Sequence, residues 1–162
     1  MKLTCEISVP SPLWRNFPRA RTIARETIAA CVDEIGLGLR DGSAVSLCLS
    51  DDAGVRELNA RWRGIDKPTN VLSFPTAQRR VDSTPPMLGD IALAYETMAR
   101  EAETSGIALA AHYRHLVAHG FLHLLGYDHR TDEEAERMEA LEQRILARLG
   151  VADPYAGGVV EG

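Results

Sequence analysis

Apolar and polar positions along this chain repeat with two different periods, and the changes of period predict an order of strands and helices. Short apolar stretches typical of strands occur at 3–9, 44–49, 71–74 and 89–94. Helical spacing of apolar residues begins at 18–35, a stripe that Gly36 and Gly38 end. Four further helices are predicted. Ser50 caps the first of them, which has Val55, Leu58 and Trp62 on its apolar face. The next two span residues 95–105 and 107–125, and the last begins at a capping box at Thr131 and ends at Gly150.

Strands alternate with helices early in the chain, and helices dominate late. This order predicts an α+β fold in which a four-stranded mixed sheet packs on about five helices. A length of 162 residues is that of one domain. We expect that domain at residues 1–150, a polar loop at 76–87 and a loose C-terminal tail at 151–162.

Three of the five histidines lie close together near the end of the apolar helix, at His119, His123 and His129. Residues four apart on a helix are separated by roughly 40° around its axis and about 6 Å along it, so the first two can bind one ion. His129 would point about 80° away if the helix continued. The chain must therefore leave the helix, and Gly126 stands where the left-handed conformation is needed.

Three histidine ligands with a fourth position open are typical of a catalytic zinc ion, although other first-row divalent metals also bind such sites. A metal held there would act as a Lewis acid and lower the pKa of a bound water. The resulting hydroxide could attack a phosphodiester or take a proton from a ribose 2′-OH, and the sequence leaves both routes open. Metallopeptidases with a similar ligand frame carry a glutamate base directly after the first histidine, where this chain has Gly120.

The net charge of −5 is unevenly distributed. Residues 1–80 carry 12 basic against 9 acidic side chains, and residues 81–162 carry 6 against 14. Sixteen of the 18 basic residues are arginine, which suits contact with phosphate groups. Any single arginine is explained as a side chain on the solvated face of a helix. As a group, the arginines can form a phosphate-binding surface.

The cysteines Cys5, Cys31 and Cys48 are odd in number and widely spaced, and we interpret them as small buried residues without a disulfide framework. No apolar stretch approaches the length of a transmembrane helix, and no signal-peptide core follows Met1. The expected location is the cytoplasm, with no membrane partner.

Three blocks of the chain together resemble the YbeY family of bacterial metal-dependent endoribonucleases. They are the histidine segment from His119 to His129, the segment from Leu58 to Pro75, and the short segment from Leu88 to Ile91; their order and spacing fit over about residues 40–150. The resemblance implies that the three histidines bind a zinc-like ion and that Arg63 is functional. It also implies cleavage of single-stranded RNA in 16S ribosomal RNA 3′-end maturation and ribosome quality control. The implied partners are ribosomal RNA and the small ribosomal subunit, and DNA is not expected as a partner.

This chain has Asn70 where the family commonly has aspartate, and we interpret Asn70 as a residue of the turn or strand entry. Arg63 is the candidate for stabilising negative charge on the phosphate. Asp128 is the second candidate catalytic residue. It either orients an imidazole N–H or assists proton transfer, or it only shapes the turn. His115 is interpreted as buried and hydrogen-bonded, with support of the metal ligands as the alternative. His112 is expected to be exposed, and Asp90 is interpreted as a structural residue at a strand start rather than as a ligand.

Two other functions remain open from the sequence. One is a metallohydrolase of peptide or amide bonds, against which Gly120 argues. The other is a non-catalytic ribosome-assembly factor in which the metal braces the fold.

Overall fold

The protein is described from a computed structural model that covers residues 3–36, 38, 42–76 and 87–151. In these ranges it contains a short 3₁₀ helix at Pro12–Asn16, four strands and five α-helices. In chain order they are β1 (Leu3–Ser8), α1 (Ala20–Ile35), β2 (Ser43–Ser50), α2 (Asp52–Arg63), β3 (Val71–Pro75), β4 (Met87–Ala94), α3 (Tyr95–Ser105), α4 (Leu109–Leu124) and α5 (Asp132–Arg148).

The four strands form one mixed sheet in the order β1-β2-β4-β3. β1, β2 and β4 pair in parallel, and β3 pairs antiparallel with β4 at the edge of the sheet. The parallel neighbours β1 and β2 are joined through α1, as parallel connections require a crossover. The predicted fold class, a four-stranded mixed sheet packed on five helices, is confirmed.

Alternate residues of each strand point to opposite faces of the sheet, and the two faces are covered differently. One face carries the main core, to which Leu47, Ile91 and Leu93 contribute. α4 packs on β3 and β4 there, and α1 and α5 contribute to the same core and contact α4. The other face carries a smaller cluster in which Val55 of α2 packs on Leu72, Ala92 and Ala94. α4 contacts α1, α3, α5, β3 and β4, so almost its whole circumference is enclosed.

Gly120 allows α4 to lie directly on the sheet. A Cβ atom at this position would stand 3.0 Å from Ile91 Cγ2 and 3.2 Å from both Ser73 Oγ and Val71 Cγ2. The Ser73 hydroxyl also donates a hydrogen bond of 2.9 Å to the Gly120 carbonyl. Helix α4, which carries the histidines, is therefore fixed against edge strand β3.

Several predicted details differ from the structure. The histidine-bearing helix begins at Leu109 and ends at Leu124, shorter at both ends than expected. Asp51, not Ser50, caps α2, because its side chain accepts a 2.8 Å hydrogen bond from the Gly54 amide. Trp62, expected on the apolar face of α2, is 65% exposed because that face extends beyond the sheet cluster.

The three cysteines are free, as expected. Cys5 and Cys31 are buried, and Cys48 is partly buried.

Most of the expected loop at 76–87 and nearly all of the expected tail at 151–162 lie outside the described residues, and Met87 belongs to β4. The proposed domain boundary at residue 150 stays a prediction. Within the described ranges, none of the helices combines the length and the apolar character needed to cross a membrane.

Candidate metal centre

The turn after α4 reverses the chain so that a third histidine comes back to the helix. Gly126 has a φ of +97°, in the left-handed region that favours glycine. Its amide bonds the His123 carbonyl at 3.1 Å, and the Tyr127 amide bonds the Leu122 carbonyl at 3.1 Å. This pair of hydrogen bonds is a Schellman turn, which satisfies the last helical carbonyls. The sequence-based prediction of a break at Gly126 is confirmed.

The structure brings together His119, His123 and His129, the three predicted ligands. One ring nitrogen from each lies within 4.8 Å of the other two. His119 is buried, His123 is partly buried and His129 is exposed. The Nε2 atoms of His119 and His123 are 3.0 Å apart, close to the separation of about 3.3 Å that two nitrogens take on a tetrahedral zinc ion. The cluster has the donor set and spacing to bind a metal ion.

The other ring nitrogens of the two helical histidines face hydrogen-bond acceptors. His119 Nδ1 lies 2.8 Å from Glu142 Oε1, and His123 Nδ1 lies 2.9 Å from the Tyr127 carbonyl oxygen. A carboxylate and a carbonyl can only accept, so each Nδ1 carries a proton. In neutral rings both Nε2 atoms then hold lone pairs, and these point at each other across 3.0 Å. A cation between them would satisfy both lone pairs.

The environment of His123 keeps its ring neutral. Burial lowers the pKa of His123 to about 4, and the neighbouring His119 adds to the shift. A neutral imidazole is the form that binds metals, so protons compete weakly for this position at neutral pH.

Glu142, a residue of α5, supports the cluster from behind, and sequence reasoning missed this role. Its side chain is fully buried, and its second carboxylate oxygen lies 3.0 Å from His115 Nε2. Burial would raise the pKa of Glu142, but hydrogen bonds from His115 and His119 outweigh it and hold the pKa below its usual range. One carboxylate thus joins two histidines of α4, an arrangement that fixes ring orientation around metals. The interpretation of His115 as buried and hydrogen-bonded is confirmed.

A sequence signal for Glu142 existed. It lies four residues after Met138 and three before Ile145, on the apolar stripe of α5, whereas the neighbouring acids of that helix are mostly exposed. A buried carboxylate needs a hydrogen-bond or charge partner. The histidines of the preceding helix were the polar side chains available for that role.

Arg63 and Asp128, the two predicted catalytic residues, line one cleft of about 510 Å³ with His123 and His129. Arg63 ends α2 and is exposed. The Asp128 carboxylate accepts a 2.8 Å hydrogen bond from the His129 amide and pairs with Arg130 Nε at 2.8 Å. That amide hydrogen bond is the main cause that lowers the pKa of Asp128. These contacts show that Asp128 shapes the turn. The catalytic roles of Arg63 and Asp128 stay predictions.

His112 was expected to be exposed, and this is wrong. It is 5% exposed because α4 is enclosed on nearly all sides, and its Nε2 lies 2.9 Å from Glu101 Oε1. Asn70 contacts the same carboxylate through its amide nitrogen at 3.1 Å, and its Oδ1 accepts a 2.7 Å hydrogen bond from the Val71 amide. This geometry supports the strand-entry interpretation of Asn70. Asp90 is exposed on β4 and lies outside the histidine cluster.

The fold and the site together define a class: an α+β protein with three histidines, able to hold a metal ion, in an open cleft that an arginine borders. Residues 15–150 match the family described as Endoribonuclease YbeY. The chain belongs to this YbeY endoribonuclease family.

Individual relatives agree with the family match. A protein named Endoribonuclease YbeY from Bradyrhizobium sp. (strain BTAi1) is 51% identical over 94% of this chain and 92% of its own length. The protein of the same name from Methylocella silvestris is 46% identical over 96% of this chain and 87% of its own. The solution structure of TM1509 from Thermotoga maritima is similar in fold, with a TM-score of 0.57 and 22% identity over 93% of this chain and 98% of that one.

Proposed function

We propose that this protein is a metal-dependent endoribonuclease that cleaves single-stranded RNA during 16S ribosomal RNA 3′-end maturation and ribosome quality control, acting in the cytoplasm. The observation that carries the proposal is the pair of Nε2 atoms of His119 and His123, which are 3.0 Å apart. His123 lines the same cleft as Arg63. Membership of the YbeY endoribonuclease family supports RNA as the substrate.

The proposed ligands are His119, His123 and His129, and the proposed ion is zinc. Three nitrogen donors with a free position favour zinc among the common metals, although related divalent ions bind similar sets. When bound, such an ion supplies Lewis acidity and lowers the pKa of a coordinated water.

The residues around the ligands have separable roles in this proposal. Glu142 orients the His119 ring and fixes its proton on Nδ1. The Tyr127 carbonyl does the same for His123. Arg63 stabilises the negative charge that grows on the phosphate as cleavage proceeds. Asp128 is proposed to assist proton transfer, and the hydrogen bond that its carboxylate accepts from the His129 amide holds the backbone of the third ligand.

The ribosomal partners are part of the proposal and rest on the family and on charge. Exposed arginines on α1 and α2, including Arg21, Arg25, Arg61 and Arg63, offer contacts to a phosphate backbone. The described acidic residues concentrate on α5, at the other end of the domain's sequence.

The direct test measures metal content and RNA cleavage on the same preparation. We expect purified protein to contain about one first-row metal ion per chain and to cleave single-stranded ribosomal RNA fragments. Chelation should abolish cleavage, and zinc should restore it better than manganese or magnesium. Full cleavage by metal-free protein would contradict the mechanism.

Two controls separate the rival functions. A peptide library incubated beside the RNA tests the amide hydrolase, against which Gly120 argues because glycine has no side chain to take a proton from water. For the non-catalytic assembly factor, chelation would lower the unfolding temperature while no RNA was cleaved before or after it.

A further inference from the structure

A second cleft opens beside α2, on the sheet face that carries the smaller apolar cluster. It has a volume of about 440 Å³, within the range of small-molecule sites. Its lining includes Leu58 and Trp62 of α2, Phe74 and Pro75 of β3, and Cys48 and Asp90 on the open sheet.

Trp62 stands beyond the sheet surface that buries the start of α2, and its side chain is left largely exposed. Along the same face of α2, Val55 is fully buried and Leu58 is partly buried, but Trp62 keeps 65% of its surface in water. The Arg61 guanidinium lies 5.3 Å from the indole centre, close enough for a cation–π contact. A large aromatic side chain held in place at the rim of a cleft is a binding surface rather than a core residue.

The second cleft borders the histidine cleft at edge strand β3, on the other face of the sheet. Pro75, at the end of edge strand β3, lines both. Arg63 lines the histidine cleft and Trp62 lines the second cleft, one residue apart at the end of α2. A flexible chain molecule that places a phosphate beside Arg63 therefore has its next group within reach of the indole.

The chemistry of the second cleft favours a nucleobase over a phosphate. Its walls are apolar at Leu58, Phe74 and Pro75, and Asp90 brings a carboxylate that repels anions and accepts hydrogen bonds from amino groups. Arginine side chains stand outside it, at Arg61 and Arg63. Aromatic platforms beside arginines are the usual means of binding unpaired bases.

We propose that this cleft binds one unpaired nucleobase of the RNA, stacked on Trp62, adjacent to the phosphate held at Arg63. The inference rests on the proposed endoribonuclease function and deepens it. A base in a duplex is already stacked and paired, so it cannot enter the cleft without unpairing. The cleft thereby supplies a physical basis for selecting single-stranded RNA.

The test compares Trp62→Ala with Trp62→Phe and with Ile65→Ala, an exposed apolar residue outside the described lining of either cleft. We expect Trp62→Ala to raise KM for a single-stranded oligonucleotide about 5- to 150-fold, the value of one lost stacking contact. Metal content should not change. Trp62→Phe should recover most of the affinity, and Ile65→Ala should behave as wild type. An unchanged KM in Trp62→Ala would overturn the proposal.

A binding experiment that needs no cleavage separates this inference from the proposed function. Trp14 is buried, so quenching of tryptophan fluorescence by an uncleavable 2′-O-methyl oligonucleotide reports chiefly on Trp62. Oligonucleotides with one abasic nucleotide at successive positions should show one position that weakens binding to wild type and not to Trp62→Ala. Equal weakening in both proteins would refute stacking. Failure of wild-type protein to cleave any RNA would refute the endoribonuclease function while leaving this measurement decisive for the cleft.

Discussion

The Nδ1 atom of His119 lies 2.8 Å from the Oε1 atom of Glu142, a contact between two helices across 23 residues of sequence. It means that α5, otherwise a surface helix, sets the orientation of a candidate metal ligand on α4. The carboxylate is wholly buried and also contacts His115, so the three side chains form one polar unit inside an apolar core.

The first prediction concerns Glu142→Gln. Glutamine keeps the shape but replaces one accepting oxygen by a donor, so the two histidines can no longer both donate to it. We expect zinc affinity, measured by competition with a chromogenic chelator, to fall about 10- to 100-fold. Glu139→Gln, on the exposed side of the same helix, is the control and should bind zinc as wild type does. Equal affinities in the two variants would exclude a supporting role for Glu142.

The second prediction concerns the ligands. His123→Ala should lose both bound metal and RNA cleavage, because two nitrogens hold an ion far more weakly than three. His129→Ala tests the same site at an exposed position, where substitution carries little folding cost. Metal analysis and cleavage rates should fall together in both variants, with circular dichroism unchanged in His129→Ala. Wild-type cleavage by either variant would remove the histidine cluster from the mechanism.

The third prediction separates substrate charge stabilisation from metal binding. Arg63→Ala should lower kcat about 10²-fold, the typical cost of one lost oxyanion donor, with unchanged metal content. Arg63→Lys should recover part of the rate through its charge alone, since lysine lacks the bidentate fork. Arg144→Ala, an exposed arginine of α5 that does not line the described cleft, is the control. Metal loss in Arg63→Ala would point to a folding role instead.

Local sequence rules were sufficient for the elements and for the convergence of the histidines. The i, i+4 spacing of His119 and His123 places both on one helix face. Gly126 follows the helix in the left-handed conformation, and the turn there brings His129 back beside the other two histidines. Periodicity also gave the strand count and the mixed sheet. These features depend on the order of residues within a few turns, so nearby sequence determines them.

The features that escaped prediction depend on which elements pack together. His112 was expected in water, but α4 is enclosed by three helices and the sheet, so its polar side is buried and paired with Glu101. Glu142 lies on the apolar stripe of α5, which marks it as buried, but only the packing of α5 on α4 shows that its partner is His119. Trp62 follows the apolar stripe of α2 yet projects beyond the sheet surface that buries Val55. Each outcome depends on tertiary neighbours.

The fourth prediction is a pH dependence of the metal-free protein. Burial holds the pKa of His123 at about 4 in the folded state, against about 6.5 when unfolded. Between these values the unfolded chain binds a proton that the folded chain does not, so stability is lost as pH falls from 6.5 to 4. We expect a loss of about 1–2 kcal/mol in urea unfolding with EDTA, after discounting for partial exposure. His123→Gln should lack this component, and parallel pH curves for the two proteins would contradict the assignment.

The fifth prediction concerns the three free thiols. Burial is the main cause that raises the pKa of both Cys5 and Cys31, so neither forms the reactive thiolate readily. Cys48 is partly exposed at the cleft beside Trp62. Iodoacetamide at pH 8 should therefore alkylate the native protein once, at Cys48, and peptide mass spectrometry locates the label. Cys48→Ser should stay unlabelled until denaturant exposes the remaining two thiols. Labelling of Cys31 as fast as Cys48 in the native state would mean that α1 opens to solvent and that the core is looser than its packing indicates.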